Sequence, residues 1–236
     1  MKKTYFIFPA AILMLVSAII ACKKKSEPGP NDLGGSWDLE LTQVGRESDV
    51  YFYLNGSYSV QGTITVLSND KGVVTYRLRG DLSGSPDSAF IAQLFPSHFF
   101  VQPGILEREV KFKITSEGIQ DYFWDQDFND PWTIVKYADG VGTTYPFKTS
   151  KNVTLNRVIT EKTGEDDWPF GFYYIKTSKV EQELIPPEDE ITEPGYSLKL
   201  DKITYRANHK FGLVYMEIKL DNGPTISLDI YPWFLM

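Results

Sequence analysis

The chain has 236 residues, with 24 Lys and Arg against 31 Asp and Glu, a formal charge of −7, two His and one Cys. That length suits one large β domain or two small ones with a real core. The acidic balance argues against a nucleic-acid partner, which selects a basic face, and one cysteine cannot form an internal disulfide or a multi-cysteine zinc site.

The chain begins with Lys2 and Lys3, followed by an apolar run from Tyr5 to Ala21 that is interrupted by Pro9 and Ser17. It ends in Ile19-Ile20-Ala21-Cys22, and Cys22 is the sole cysteine. This segment resembles a bacterial lipoprotein signal, with an aliphatic residue three before the cysteine and a small one just before it. Ile20 is bulkier than the usual occupant. The resemblance implies cleavage before Cys22, lipidation of its sulfur, and membrane attachment through the N-terminal lipid. A plain secretory signal using Ser17-Ala18 or Ala21 is one alternative. An uncleaved helix is the other, although 17 residues fall just short of a span.

Residues 22–32 read as a flexible tether: three lysines, then a polar stretch punctuated by Pro28, Gly29 and Pro30. The lysines suit either contact with anionic head groups or a solvated spacer. With Lys2 and Lys3 removed by cleavage, 22 basic residues face 31 acidic ones, a formal charge of −9. Residues 33–236 are expected to form one β-rich globular domain.

Strand signals dominate that body. Val74, Tyr76 and Leu78 alternate with Thr75, Arg77 and Arg79, and residues 109–115 alternate throughout. Val214, Met216, Ile218 and Leu220 share one face, as do Ile226, Leu228 and Ile230, with Asp221-Asn222-Gly223 between them as a hairpin turn. Further strands are expected at 36–44, 50–54, 57–68, 118–124, 132–137, 152–160, 172–179 and 198–207. A single helix is expected after Ser85-Pro86, stopped by Pro96. Residues 184–195, rich in acid and proline, read as a solvated loop. Short strands at this spacing predict an all-β fold: an antiparallel barrel, half-barrel or sandwich with one short helix.

Few residues point to chemistry. Gly35-Ser36-Trp37 resembles the Gly-x-Trp that opens the first strand of lipocalin-like barrels, where the Trp closes the barrel base. Asp125, Asp127 and Asn129 have calcium-loop spacing, but Asp130 stands where the turn needs Gly and Lys136 where a bidentate Glu belongs. A solvated acidic tip is the better reading, so no metal and no cofactor is expected. His98 and His209 are isolated, no G-x-S-x-G places a nucleophile, and the runs Glu165-Asp166-Asp167 and Glu188-Asp189-Glu190 read as solvated charge. Aromatics make up 14% of the chain. Trp124, Trp132 and Trp168 lie beside acidic segments, which suits stacking on sugar rings as well as filling a β core. Asp87-Ser88-Ala89 resembles a Bacteroidetes O-glycosylation acceptor.

Taken together, the chain resembles a Bacteroidetes-type lipoprotein. It is expected to be held at the cell envelope by lipid, most simply at the outer membrane, as a non-catalytic binding protein for a small apolar ligand or an envelope partner. A surface module for glycan or protein is the first alternative, and an envelope hydrolase is the second. A carrier requires an internal apolar cavity of roughly 300 Å3 or more. A glycan binder exposes the three tryptophans on one face. An enzyme brings His209 or a carboxylate pair into a cleft.

Overall fold

A computed structural model describes residues 29–94, 99–123, 130–149, 151–193, 196–221 and 223–232. A short 3-10 turn at Glu40–Thr42 leads into strands β1 (Glu47–Leu54), β2 (Ser57–Asp70) and β3 (Val73–Asp81). Helix α1 (Ser88–Leu94) follows, then β4 (Phe100–Gln102), β5 (Ile105–Thr115), β6 (Gly118–Asp121) and β7 (Trp132–Lys136). The second half contains β8 (Thr144–Lys148), β9 (Thr154–Lys162), β10 (Trp168–Phe170), β11 (Tyr173–Ile175) and β12 (Ser178–Glu183). It ends with β13 (Glu190–Glu193), β14 (Tyr196–Asn208), β15 (Gly212–Leu220) and β16 (Thr225–Pro232).

Twelve of these strands follow one path, in the order β7-β6-β5-β3-β2-β1-β16-β15-β14-β12-β9-β8, with β4 added on β5 and β13 on β14. Two antiparallel meanders, one from each half of the chain, are therefore joined along β1 and β16 and curl into a nearly closed barrel. Strands β10 and β11 form a separate hairpin. The fold is all-β, and of the three expected architectures it is the barrel.

Alternation explains the wall. On β5, Phe112 and Ile114 are buried in the core, while Glu107 and Glu109 lie opposite Arg79 and Arg77 on β3. Opposite charges placed across strands in this way support the register from the solvent face. The Asn55-Gly56 turn has φ of 50° and 74°, the positive values that a tight hairpin requires. At α1, the Ser85 hydroxyl accepts the Asp87 N–H at 3.2 Å, so the expected start signal holds the turn leading into the helix.

Three expectations change. Residues 36–44 form no strand, because this segment lies along the β5–β6 turn, with Gly34 N–H on Glu117 Oε2 and Ser36 N–H on Ser116 Oγ. Trp37 is consequently 47% exposed and does not close the barrel base as in a lipocalin-like barrel. The expected strand at 172–179 is split between β11 and β12, since the chain leaves the barrel to build the outer hairpin. The stretch at 184–195 is not simply solvated: it contains β13, and Glu188 and Asp189 are buried, with Thr149 donating to Glu188 Oε1 at 2.9 Å.

The ends of the path, β7 and β8, meet without a backbone ladder. Side chains join them instead. Asn31 Oδ1 accepts the Thr133 N–H at 3.0 Å while its Nδ2 donates to the Pro146 carbonyl at 3.2 Å. The Lys136 N–H donates to the Tyr145 hydroxyl at 3.1 Å. Proline at 146 suits such an edge, because it has no N–H to offer a neighbour. The final residues of the expected tether are thus part of the barrel: Gly29 to Asp32 form a turn, and the Gly29 carbonyl also accepts Lys136 Nζ at 2.9 Å.

Candidate functional site

The interior divides into a polar node and an apolar cavity. Arg157 shares a strand face with Leu155 and Ile159, so the alternation of β9 points it into the core. It is fully buried and pairs with equally buried Asp121 at 2.8 Å. Its Nε donates to Gln182 Oε1 at 2.7 Å, and Nη1 donates to the carbonyls of Trp132 and Thr133 at 3.0 and 3.2 Å. The guanidinium lies 4.6 Å from the Phe147 ring centre and 5.5 Å from that of Tyr205. One residue thereby ties β9 to β12, β6 and the free edge of β7. Burial pushes the Asp121 carboxyl above its ordinary value, against the opposing pull of Arg157. Burial also raises the Tyr205 phenol. Among the described residues, Gln120 Oε1, Asp121 Oδ1, Trp132 Nε1 and Gln182 Nε2 are buried without a hydrogen-bond partner.

The apolar cavity lies against β3, β5, β15 and β16 and has a volume of about 120 Å3. Leu78, Val110, Phe112, Ile114, Met216 and Leu228 form much of its wall, and Ser48 and Tyr76 supply the polar groups. Burial holds the Tyr76 phenol protonated, well above its ordinary value. Phe123 lines the cavity at one side and is 41% exposed, while Leu41 and Phe211 line it where β14 turns into β15. The volume falls short of the roughly 300 Å3 set for a carrier of a whole small molecule. The cause is filling: Arg157, Tyr145, Phe147 and Tyr205 occupy much of the interior.

Outside the wall, the β10–β11 hairpin covers a second cluster. Phe170 stacks on Phe211 at 5.1 Å and on Tyr231 at 5.0 Å, and Phe170, Ile175 and Val214 are buried together. Phe211 therefore touches the cavity on one side and the hairpin on the other. Arg206 lies 4.0 Å over the Trp168 ring and forms two 3.0 Å bonds with Glu161, whose carboxyl this holds below its ordinary value. At the hairpin tip, Gly171 has φ 62°, and Phe172, Tyr173 and Tyr174 are exposed.

The residues singled out by sequence do not converge. Trp132 is half-buried against Phe147 at the seam, while Trp168 is half-buried under Arg206 on the outer wall. Trp124, the calcium candidates Asp125, Asp127 and Asn129, His98 and Cys22 lie outside the described residues. His209 is exposed in the β14–β15 turn, as are Glu165, Asp166 and Asp167 in their loop. Among the described residues, no group of three or more His, Cys, Asp or Glu could hold a metal ion. Ser88, in Asp87-Ser88-Ala89, opens α1 and is half-buried. The sequence reading missed Arg157. Its signal was an arginine on the apolar face of an alternating strand, Leu155-x-Arg157-x-Ile159.

No protein-family model matches the chain, and no curated protein matches it. Among solved structures, the chain is similar to a Bacteroides fragilis protein, a candidate exported protein with a YmcC-like fold. That likeness has 8% identity and a TM-score of 0.45, and covers 80% of this chain and 95% of the other.

Proposed function

We propose that this protein is a lipid-anchored envelope protein that binds an amphiphilic ligand by its apolar end, without catalysing a reaction. The cavity carries the reading. An apolar space of about 120 Å3 is of the size that accepts a single small apolar group. The remainder of the ligand lies over the rim formed by Phe211 and Leu41. Met216 on the wall has an unbranched, adaptable side chain that can yield to a longer chain. Attachment at the envelope rests on the lipoprotein-like segment ending at Cys22. The glycan alternative has less support, because Trp132 and Trp168 occupy different sides of the wall. The hydrolase alternative is not favoured by His209, which stands in an exposed turn.

The test is titration of a fluorescent fatty acid into the mature-length chain. Saturable binding at one site is expected. Met216→Trp, which fills the cavity, is expected to abolish it while leaving a cooperative melt. Undiminished binding by the folded variant removes the cavity from the mechanism, and no binding by the parent chain ends the proposal.

A further inference from the structure

The exposed aromatic tip has an address as well as a composition. Phe172 is 96% exposed, Tyr174 61% and Tyr173 40%, three aromatics in succession on a hairpin packed against the outside of the barrel wall. The base of this excursion is fixed by Thr163 N–H on the Thr177 carbonyl at 3.0 Å and Thr177 N–H on Thr163 Oγ1 at 2.8 Å. Lys162, just before it, donates to the carbonyls of Tyr137 and Asp139, both at 2.8 Å. Lys136, at the start of the same turn, holds the Gly29 carbonyl. The tether and the hairpin therefore arise from the same end of the barrel.

Chain length sharpens this. Gly29, the first described residue, lies seven residues after Cys22. At no more than about 3.6 Å per residue, that separation is at most roughly 25 Å. Lipid on Cys22 keeps this end of the barrel within that distance of the bilayer. Tyrosine and phenylalanine suit the membrane interface, where an apolar ring is buried and a phenol remains wet. The body is acidic overall and its basic run, Lys23 to Lys25, lies at the tether, so on a zwitterionic bilayer the aromatics carry the contact.

We propose that the Phe172-Tyr173-Tyr174 tip docks into the interface of a phospholipid bilayer at the end of the barrel where the tether enters. Docking there sets Phe211, stacked on Phe170, between the lipid surface and the cavity. The inference rests on the lipid-anchor reading and deepens it.

Flotation with phosphatidylcholine vesicles tests it, using the chain from residue 22 with Cys22→Ser, which retains every described residue and carries no lipid. The parent chain is expected to float with the vesicles, with little change from low to high salt. Phe172→Ser/Tyr174→Ser is expected to lose about tenfold or more of that binding. The same variant should keep its melting temperature and its fatty-acid binding, because both side chains are exposed and outside the cavity. Equal flotation of variant and parent overturns the proposal, as does absence of parent flotation, or binding that collapses in salt. Because no lipid is attached, none of these results depends on whether Cys22 is modified, and retained fatty-acid binding separates failure of the tip from failure of the cavity.

Discussion

Arg157 illustrates how one buried side chain can specify a wall. A buried ion pair alone is weak support for stability, because desolvation offsets the attraction. Here the guanidinium also supplies donors to Gln182 and to two carbonyls on an unpaired strand edge, groups that are costly to leave unmet. Lysine cannot replace it, having a single nitrogen where the site uses three in a planar fork. Arg157→Ala and Asp121→Ala are each expected to cost about 3–5 kcal/mol, chiefly by stranding the partner charge. The double variant should cost clearly less than the two together. Urea unfolding of the three variants measures this, and strict additivity would show that the pair is not coupled.

At the scale of elements, the seam between β7 and β8 is the unusual feature. An open strand edge invites pairing with another chain, and proteins commonly cover or interrupt it. Here Pro146 interrupts one edge, and Asn31 and Arg157 occupy the other. Asn31→Ala removes the acceptor for the Thr133 N–H, a loss of roughly 1–1.5 kcal/mol. The Thr133 amide is then expected to exchange its hydrogen roughly fivefold to tenfold faster, with Ile114 in the distant ladder unchanged. Equal protection of Thr133 in both proteins would show that Asn31 does not close the seam. This device was beyond reach of sequence reading. The Pro/Gly pattern at 28–30 reads as a flexible tether, whereas Gly29 to Asp32 form a turn docked by contacts about a hundred residues away in the chain. The period-2 strands were legible where the pattern runs unbroken, as in residues 109–115, but not at Val214, where a bulge turns the side chain from the face of Met216 to the outer hairpin. The outer hairpin was not, because Phe172 and Tyr174 look like strand core until the turn at Gly171 is known. Trp37 misled for a related reason: a short motif specifies a residue, whereas its role depends on the surface against which the fold places it.

At the scale of the whole molecule, several independent features share one end of the barrel: the pinned start of the body at Gly29, the base of the aromatic hairpin at Lys162, and the cavity rim at Phe211. The arrangement gives Cys22 a mechanical meaning. On the proposed reading, lipid on Cys22, seven residues before Gly29, restricts how the barrel faces the bilayer and gives an amphiphile a short path to the cavity rim. The net acidic charge of the body disfavours an anionic surface, so the proposed adhesion rests on covalent attachment and aromatic burial, with Lys23 to Lys25 as the basic residues beside the anchor. Anchoring in turn requires that the signal be read as a lipoprotein signal. Cys22→Ser is therefore expected to block lipidation and leave uncleaved precursor, seen on a gel as a chain heavier by residues 1–21 and lacking incorporated fatty acid. Release of a cleaved, soluble body from that variant would assign the segment to the plain secretory class. The tip at Phe172-Tyr173-Tyr174 would then be the remaining means of holding the barrel to a membrane.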